Sequence, residues 1–293
     1  MADRSRTTAD RPRTTGDRPR GWRASVRGAT ALFVLGTLGV VAVAVDSVPV
    51  LRAIPELESL PFLALVLLAA VNSTLLLIVF TTLGSAAAPR IGLTSHVFAW
   101  ASGGTLDWAA LRRSIPLAVV TGASLFAVVA VLDVASAPFV RLPAGEVVAD
   151  ADDLGALAPS IPVRLLYGGI TEEILLRWGI MAPIAFVLWR VGRAVGGGTG
   201  GGAEAGTETP SAATMWVAIL ASAVLFGLGH LPVLASSIGL TPALIVRTVL
   251  LNAIVGVALG WLFWRRSLET AMVAHAAFHV ALLVVGAIAI RLL

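Results

Sequence analysis

The sequence predicts an all-α, polytopic transmembrane protein: a helical bundle of about seven membrane spans. Of its 293 residues, 57% are hydrophobic and 13% are charged, whereas soluble domains carry about 25% charged residues. The apolar residues form long blocks rather than the alternating pattern of a surface helix or strand. Blocks of this length are typical of helices that cross a bilayer.

Two features of the composition exclude other classes of function. The chain contains no cysteine, so disulfides, cysteine-ligated zinc and thiol nucleophiles are excluded. Its 21 basic residues are all arginine, and arginines beside membrane spans are explained by topology. We therefore expect the lipid bilayer as a partner and no binding of nucleic acid.

The amino-terminal segment, residues 1–27, repeats an arginine-rich unit three times, as DRSRTTA, DRPRTTG and DRPRGWR. Such a composition cannot bury apolar surface and predicts a disordered tail. A secretory signal peptide is the alternative, but the apolar run at 29–45 is too long for one. An uncleaved first span is therefore predicted after the tail.

Seven apolar segments are predicted to span the membrane. They cover residues 29–49, 60–83, 115–135, 162–191, 212–231, 242–264 and 268–290. A short apolar stretch within 90–112 leaves room for an eighth helix. Most arginines flank these spans on one side, which predicts a cytoplasmic amino terminus in a multi-pass protein of the cytoplasmic membrane. Arg52, Arg141 and Arg164 are exceptions on the outer side.

A glycine-rich stretch, GGGTGGGAEAG, begins at Gly196 and predicts a flexible linker over residues 196–211. A phosphate-binding loop is the alternative reading of this stretch. Neither the GK[ST] motif nor a preceding strand accompanies it, so the linker is preferred.

Adjacent carboxylates inside an apolar segment, in the run TEEILLR, are the strongest functional signal. Ionisable groups at membrane depth are costly and by default mark a functional site. Glu173 and Arg177 are four residues apart, so they share a helix face and can pair. Glu172 is rotated by about 100° from Glu173, and an apolar surrounding makes a carboxylate more basic. Glu172 is therefore predicted as a general base, while the other two hold the site together. A buried charge cluster that only fixes helix packing is the alternative.

Three histidines on later spans extend this signal. His230 closes the run FGLGH near the end of the fifth span, where by itself it would be an interfacial histidine. His275 and His279, in HAAFH, are four residues apart and share a face. Their small neighbours allow another helix to approach closely. Acids and imidazoles on separate spans indicate proton-transfer chemistry within the membrane.

The runs EEILLR, FGLGH and HAAFH, in this order on separate spans, resemble the CAAX-protease and bacteriocin-processing (CPBP) family of membrane-embedded endopeptidases. The resemblance implies a catalytic membrane domain at 161–293, with residues 28–160 as accessory spans. It implies that Glu172 and His230 activate water, that His275 and the residue at 279 support the oxyanion, and that the substrate enters from the cytoplasmic side. The family usually has asparagine where this chain has His279, but a histidine can also donate a hydrogen bond.

A zinc site is the alternative to a metal-free mechanism. Glu172, His230, His275 and His279 could supply a carboxylate-and-histidine ligand set with a bound water. The helical zinc signature HExxH is absent, and the related prenyl endopeptidases look like glutamate-based enzymes. A glutamic-type protease without a cofactor is therefore predicted, with a zinc metalloprotease as the alternative.

The predicted function is hydrolysis of a peptide bond in a membrane-associated peptide or protein. A proton-coupled transporter is the main alternative, although transporters typically contain two repeated halves and these motifs occur once. A catalytically silent family member that acts as a scaffold is the other alternative.

Overall fold

The computed structural model describes residues 21–140, 160–196, 209–237 and 239–292. The predicted tail therefore lies outside the described residues as far as residue 20, and its last residues already belong to a helix that begins at Trp22. Most of the predicted glycine-rich linker, residues 197–208, also lies outside them.

Seven helices in the described residues are long and apolar enough to cross a membrane. They are α1 (Trp22–Arg52, interrupted at Ser47), α2 (Phe62–Ile91), α3 (Trp108–Phe139), α4 (Ser160–Val195), α5 (Ala212–Ser236), α6 (Pro242–Arg265) and α7 (Leu268–Leu292). No strand occurs in these parts of the chain. The predicted class, an all-α multi-pass membrane protein, is confirmed.

The possible eighth span is a short helix, His96–Ala101, between α2 and α3. Its six residues would extend only about 9 Å, far less than the roughly 30 Å hydrocarbon core. The side chain of Glu269, at the start of α7, accepts hydrogen bonds from Ser95 Oγ (2.6 Å) and from the Val97 backbone N–H (3.0 Å). This buried carboxylate therefore fixes the short helix against α7.

Helix α4 lies at the centre of the bundle and contacts α1, α2, α5, α6 and α7. Its contact with α1 is close because Gly39 carries no side chain: a Cβ there would lie 2.3 Å from Thr171 Oγ1. The Thr171 hydroxyl donates a hydrogen bond of 2.7 Å to the Gly36 carbonyl of α1. Small residues thus allow the central helix to be surrounded on most sides.

The central helix is not a regular α-helix. Val163–Thr171 and Ile174–Met181 are π-helical, and Glu172 and Glu173 lie between these two segments. Wider turns of this kind are rare and occur often at functional sites. The residue spacing predicts a regular helix here and does not indicate these segments.

Candidate active site

A cavity of about 290 Å³ lies between α3, α4, α5, α6 and α7. Its wall includes four residues that the sequence singled out: Glu172, His230, His275 and His279. They come from three different helices, so only the folded bundle brings them together. Glu173 and Arg177, the other two predicted site residues, do not line the cavity and lie behind it.

A buried network is formed on the core side of α4. Arg177 Nη1 lies 3.0 Å from Glu173 Oε1, and both side chains are almost fully buried. The same carboxylate oxygen lies 2.8 Å from His275 Nδ1 on α7. Glu173 therefore joins the two helices, and it fixes the orientation of the His275 ring. The sequence spacing predicted the ion pair, but nothing in the sequence indicated the contact with His275.

Glu172 faces the cavity. Its side chain is 18% exposed, compared with 0% for Glu173. Nε2 of His275 lies 4.0 Å from Glu172 Oε2. The two adjacent carboxylates therefore point into different environments, one paired in the core and one open to the cavity.

His230 lies at the end of the first segment of α5. Its Nδ1 lies 2.9 Å from the Phe226 carbonyl oxygen, which can only accept, so Nδ1 carries the hydrogen. In the neutral ring Nε2 then has a free lone pair. The predicted fifth span ended at residue 231, which placed His230 near the membrane surface. A second helical segment of α5 begins at Leu231, directly after His230, and the imidazole lies within the cavity wall.

The ring of His279 stacks on that of His275, with centroids 4.9 Å apart and planes inclined by 22°. Its Nδ1 is buried and has no hydrogen-bond partner among the residues that the structure describes. Space for the ring depends on Gly168 of α4, where a Cβ would lie 2.6 Å from His279 Nε2. Gly168 therefore positions this histidine, a role that the sequence did not reveal.

Several residues of the wall were not predicted from the sequence. Tyr167, Arg164 and Asn252 line the cavity. Polar residues near the motifs on α4 and α6 were a usable signal, but only the fold shows which of them face the cavity. Asn252 donates to the Thr248 carbonyl of its own helix (2.8 Å).

Phe226 separates the buried network from the cavity. The Arg177 guanidinium lies over its ring at 4.9 Å, a cation–π contact. The rings of His230 and His275 meet the same phenyl ring edge to face, at 4.9 and 5.9 Å. This residue therefore fixes the positions of both imidazoles as well as packing in the core.

The rings of His275 and His279 are not arranged to bind one metal ion together. A zinc ion bound to imidazole lies in the ring plane, about 2.0–2.1 Å from the nitrogen. The stacked, nearly parallel rings of His275 and His279 share no such point, and Nδ1 of His275 is already bonded to Glu173. Within the described part of the chain no group of three or more histidine, aspartate or glutamate residues is arranged to hold a metal.

One comparison with known proteins finds a match to part of the chain. Residues 155–281 match the family model described as type II CAAX prenyl endopeptidase Rce1-like, and this segment contains all six predicted site residues. No curated protein and no solved structure matches the chain significantly. The match over residues 155–281 is consistent with the CPBP resemblance.

Proposed function

We propose that the protein is a glutamic-type intramembrane endopeptidase, which uses Glu172 to activate water against a peptide bond of a membrane-associated substrate. One observation carries this proposal: of two adjacent carboxylates, Glu172 alone opens to a cavity that three histidines also line. A carboxylate and imidazoles around one cavity are the groups that general acid–base hydrolysis needs.

The proposed step begins with a water between Glu172 and His230. Glu172 takes one proton of the water, and His230 Nε2 accepts a hydrogen bond from the other. The water oxygen bonds to the carbonyl carbon, and the carbonyl oxygen becomes an oxyanion. When the C–N bond breaks, the proton held by Glu172 passes to the leaving amine. The products are a carboxylic acid, which ionises, and a free amine.

The oxyanion needs hydrogen-bond donors that are fixed in advance. His279 has a ring that stacking and Gly168 hold in place, and one of its nitrogens carries a hydrogen in the neutral form. The hydrogen bond that Glu173 accepts from His275 Nδ1 fixes the orientation of this second ring beside the cavity. Glu173 and Arg177 therefore act as positioning residues.

We propose a mechanism without metal, because the stacked rings do not converge on one point. Zinc bound by the same residues is the competing hypothesis. Elemental analysis of the purified, active protein distinguishes them: activity without stoichiometric zinc supports the metal-free mechanism, and zinc that is required for activity contradicts it.

The amino terminus is proposed to be cytoplasmic, which bears on where the substrate enters. Besides Arg23 and Arg27 of α1, seven arginines lie at the end of the bundle where α1 begins: Arg90, Arg112, Arg113, Arg190, Arg193, Arg265 and Arg266. Excess arginine marks cytoplasmic connections. The cavity lies toward the opposite end, since Val163 and Glu172 are 3 and 12 residues from the start of α4 at Ser160. The cavity is therefore proposed to face away from the cytoplasm, unlike the access that the family resemblance implies.

The absence of native cysteine allows a direct test of this orientation. Single cysteines at Glu58, Thr105 and Val163 would be labelled in intact cells with a membrane-impermeant maleimide. Labelling of Glu58→Cys and Val163→Cys, but not of Thr105→Cys, is expected. The reverse pattern would place the amino terminus outside and the cavity toward the cytoplasm.

The substrate is sought by mass spectrometry of the membrane proteome, comparing cells that produce the wild type with cells that produce Glu172→Ala. Peptide termini that appear only with the wild type identify cleaved proteins. Equal peptide profiles, together with pH-driven flux through the purified protein in proteoliposomes, would favour a transporter instead.

A further inference from the structure

The wall of the cavity contains a cation that the proposed hydrolysis does not use. Arg164 is half-buried on α4 and lines the cavity together with Glu172 and His279. Its Nε donates a hydrogen bond of 3.2 Å to Ser160 Oγ, one turn earlier. This contact is made to a neutral hydroxyl and leaves the two terminal amino groups of the guanidinium for another acceptor.

Two other arginines inside the spans form ion pairs with carboxylates. Arg177 pairs with Glu173, and Arg247 pairs with Asp133 of α3. By contrast, no carboxylate among the described residues forms an ion pair with Arg164. Arg164 lies four residues from the start of α4, and its half-buried guanidinium lines the cavity. Its planar fork of donors matches a carboxylate in a bidentate manner.

We propose that Arg164 binds a carboxylate of the substrate and so selects the peptides that Glu172 cleaves. This inference rests on the proposed endopeptidase function. Arg164 and Glu172 are eight residues apart on α4, which corresponds to at most about 12 Å along the helix. An extended peptide covers that distance with about three or four residues.

The carboxylate has two possible sources: the free carboxyl terminus of the substrate, or an aspartate or glutamate side chain close to the cleaved bond. Both present the same planar anion to the guanidinium. Arg164 is therefore expected to select a carboxylate at a suitable distance from Glu172, whichever of the two groups supplies it. Peptides that carry only one of the two groups distinguish the sources.

The test uses three pools of dodecapeptides with an apolar amino-terminal half and a degenerate carboxyl-terminal half that lacks acidic residues. One pool ends in a free carboxylate, the second in an amide, and the third in an amide with aspartate as the last residue. Purified wild type, Arg164→Gln, Arg164→Lys and Arg52→Gln are compared for kcat/KM. Arg52 is exposed at the same end of the bundle and outside the cavity, so it is the matched control for the loss of one charge.

The wild type is expected to cleave at least one carboxylate pool with a kcat/KM about 10- to 100-fold above the neutral amide pool, the usual effect of a hydrogen bond to a charged group. Arg164→Gln removes this preference, mainly by raising KM, because the contact is made in ground state and transition state alike. Arg164→Lys retains part of it, and Arg52→Gln retains all of it. If only the pool with a free carboxyl terminus is preferred, Arg164 binds the carboxyl terminus of the substrate. If the pool with a terminal aspartate amide is preferred equally, Arg164 binds any carboxylate close to the cleaved bond.

Equal cleavage of charged and neutral pools by the wild type overturns the role of Arg164, and so does a preference that survives in Arg164→Gln. Failure to cleave any pool counts against the proposed function. In that case, binding of the fluorescently labelled pools is compared between the Glu172→Gln protein and the double variant Glu172→Gln with Arg164→Gln. A carboxylate preference that depends on Arg164 supports the inference, and its absence contradicts it.

Discussion

One side of α4 faces the core and the other faces the cavity, and both sides carry acidic and basic side chains. These charges are paired on the core side and open to the cavity on the other. On the core side, Glu173 and Arg177 neutralise each other, and His275 adds a third contact. On the cavity side, Glu172 is partly exposed, and Arg164 has only a hydroxyl partner among the described residues. Charges that are paired in the core fix helices in place, whereas charges left open to a cavity are available to a water or a substrate.

The largest effect is expected on the core side. Arg177→Ala leaves Glu173 with only His275 as a partner in a buried site, and removing one partner of a buried pair typically costs about 3–5 kcal/mol. A thermal melt in detergent should show a large loss of stability. The double change Glu173→Gln with Arg177→Gln should recover part of the stability. It should not recover turnover, because His275 is then no longer oriented by a carboxylate. If the melting temperature of Arg177→Ala equals that of the wild type, the ion pair does not stabilise the core.

The second effect concerns the oxyanion donor on the cavity side. His279→Ala should lower turnover by about 10²–10³-fold, the usual loss for one oxyanion donor. His279→Asn keeps a donor and should retain substantial activity. Zinc content is measured on the same samples. If the wild type contains stoichiometric zinc and His279→Asn loses both the metal and the activity, His279 is a ligand and the metal-free mechanism is wrong.

A smaller effect is expected at Gly168, which leaves room for the His279 ring. Gly168→Ala places a methyl group against Nε2 of that ring, and the ring must shift. Misplacement of a catalytic group by about 1 Å can cost up to 10²-fold in rate. We therefore expect lower turnover with little change in melting temperature. Gly286→Ala on α7, where a Cβ meets nothing within 4 Å, is the matched control. Unchanged turnover in Gly168→Ala would show that the position of His279 is not critical.

The smallest effect is expected for the peripheral ion pair between Arg247 and Asp133, both of which are partly exposed. Exposed pairs contribute about 0–1 kcal/mol, so Arg247→Gln should hardly change the melting temperature. Set beside Arg177→Ala, this variant measures how much burial adds to the same kind of contact. If Arg247→Gln lowers the melting temperature as much as Arg177→Ala does, the buried ion pair does not stabilise the protein more than the exposed one.

Much of the architecture could be predicted because each span needs only a local property, an apolar block of sufficient length. The pairing of Glu173 with Arg177 was equally local, since it follows from a four-residue spacing. Contacts between distant helices could not be predicted in this way. The hydrogen bond of Glu173 to His275 spans 102 residues, and the space that Gly168 leaves for His279 depends on how α4 and α7 pack. The π-helical segments are another consequence of that packing, and no spacing rule of a regular helix would indicate them.

The most direct test of the contrast between the two sides of α4 is the effect of Glu172→Ala on hydrolysis and on stability, measured on the same purified protein. Glu172 is not part of the buried network, so the melting temperature should stay close to that of the wild type. Peptide hydrolysis should be abolished, because no other carboxylate among the described residues lines the cavity. Wild-type turnover by a folded Glu172→Ala protein would contradict the role of Glu172 as the base that activates water.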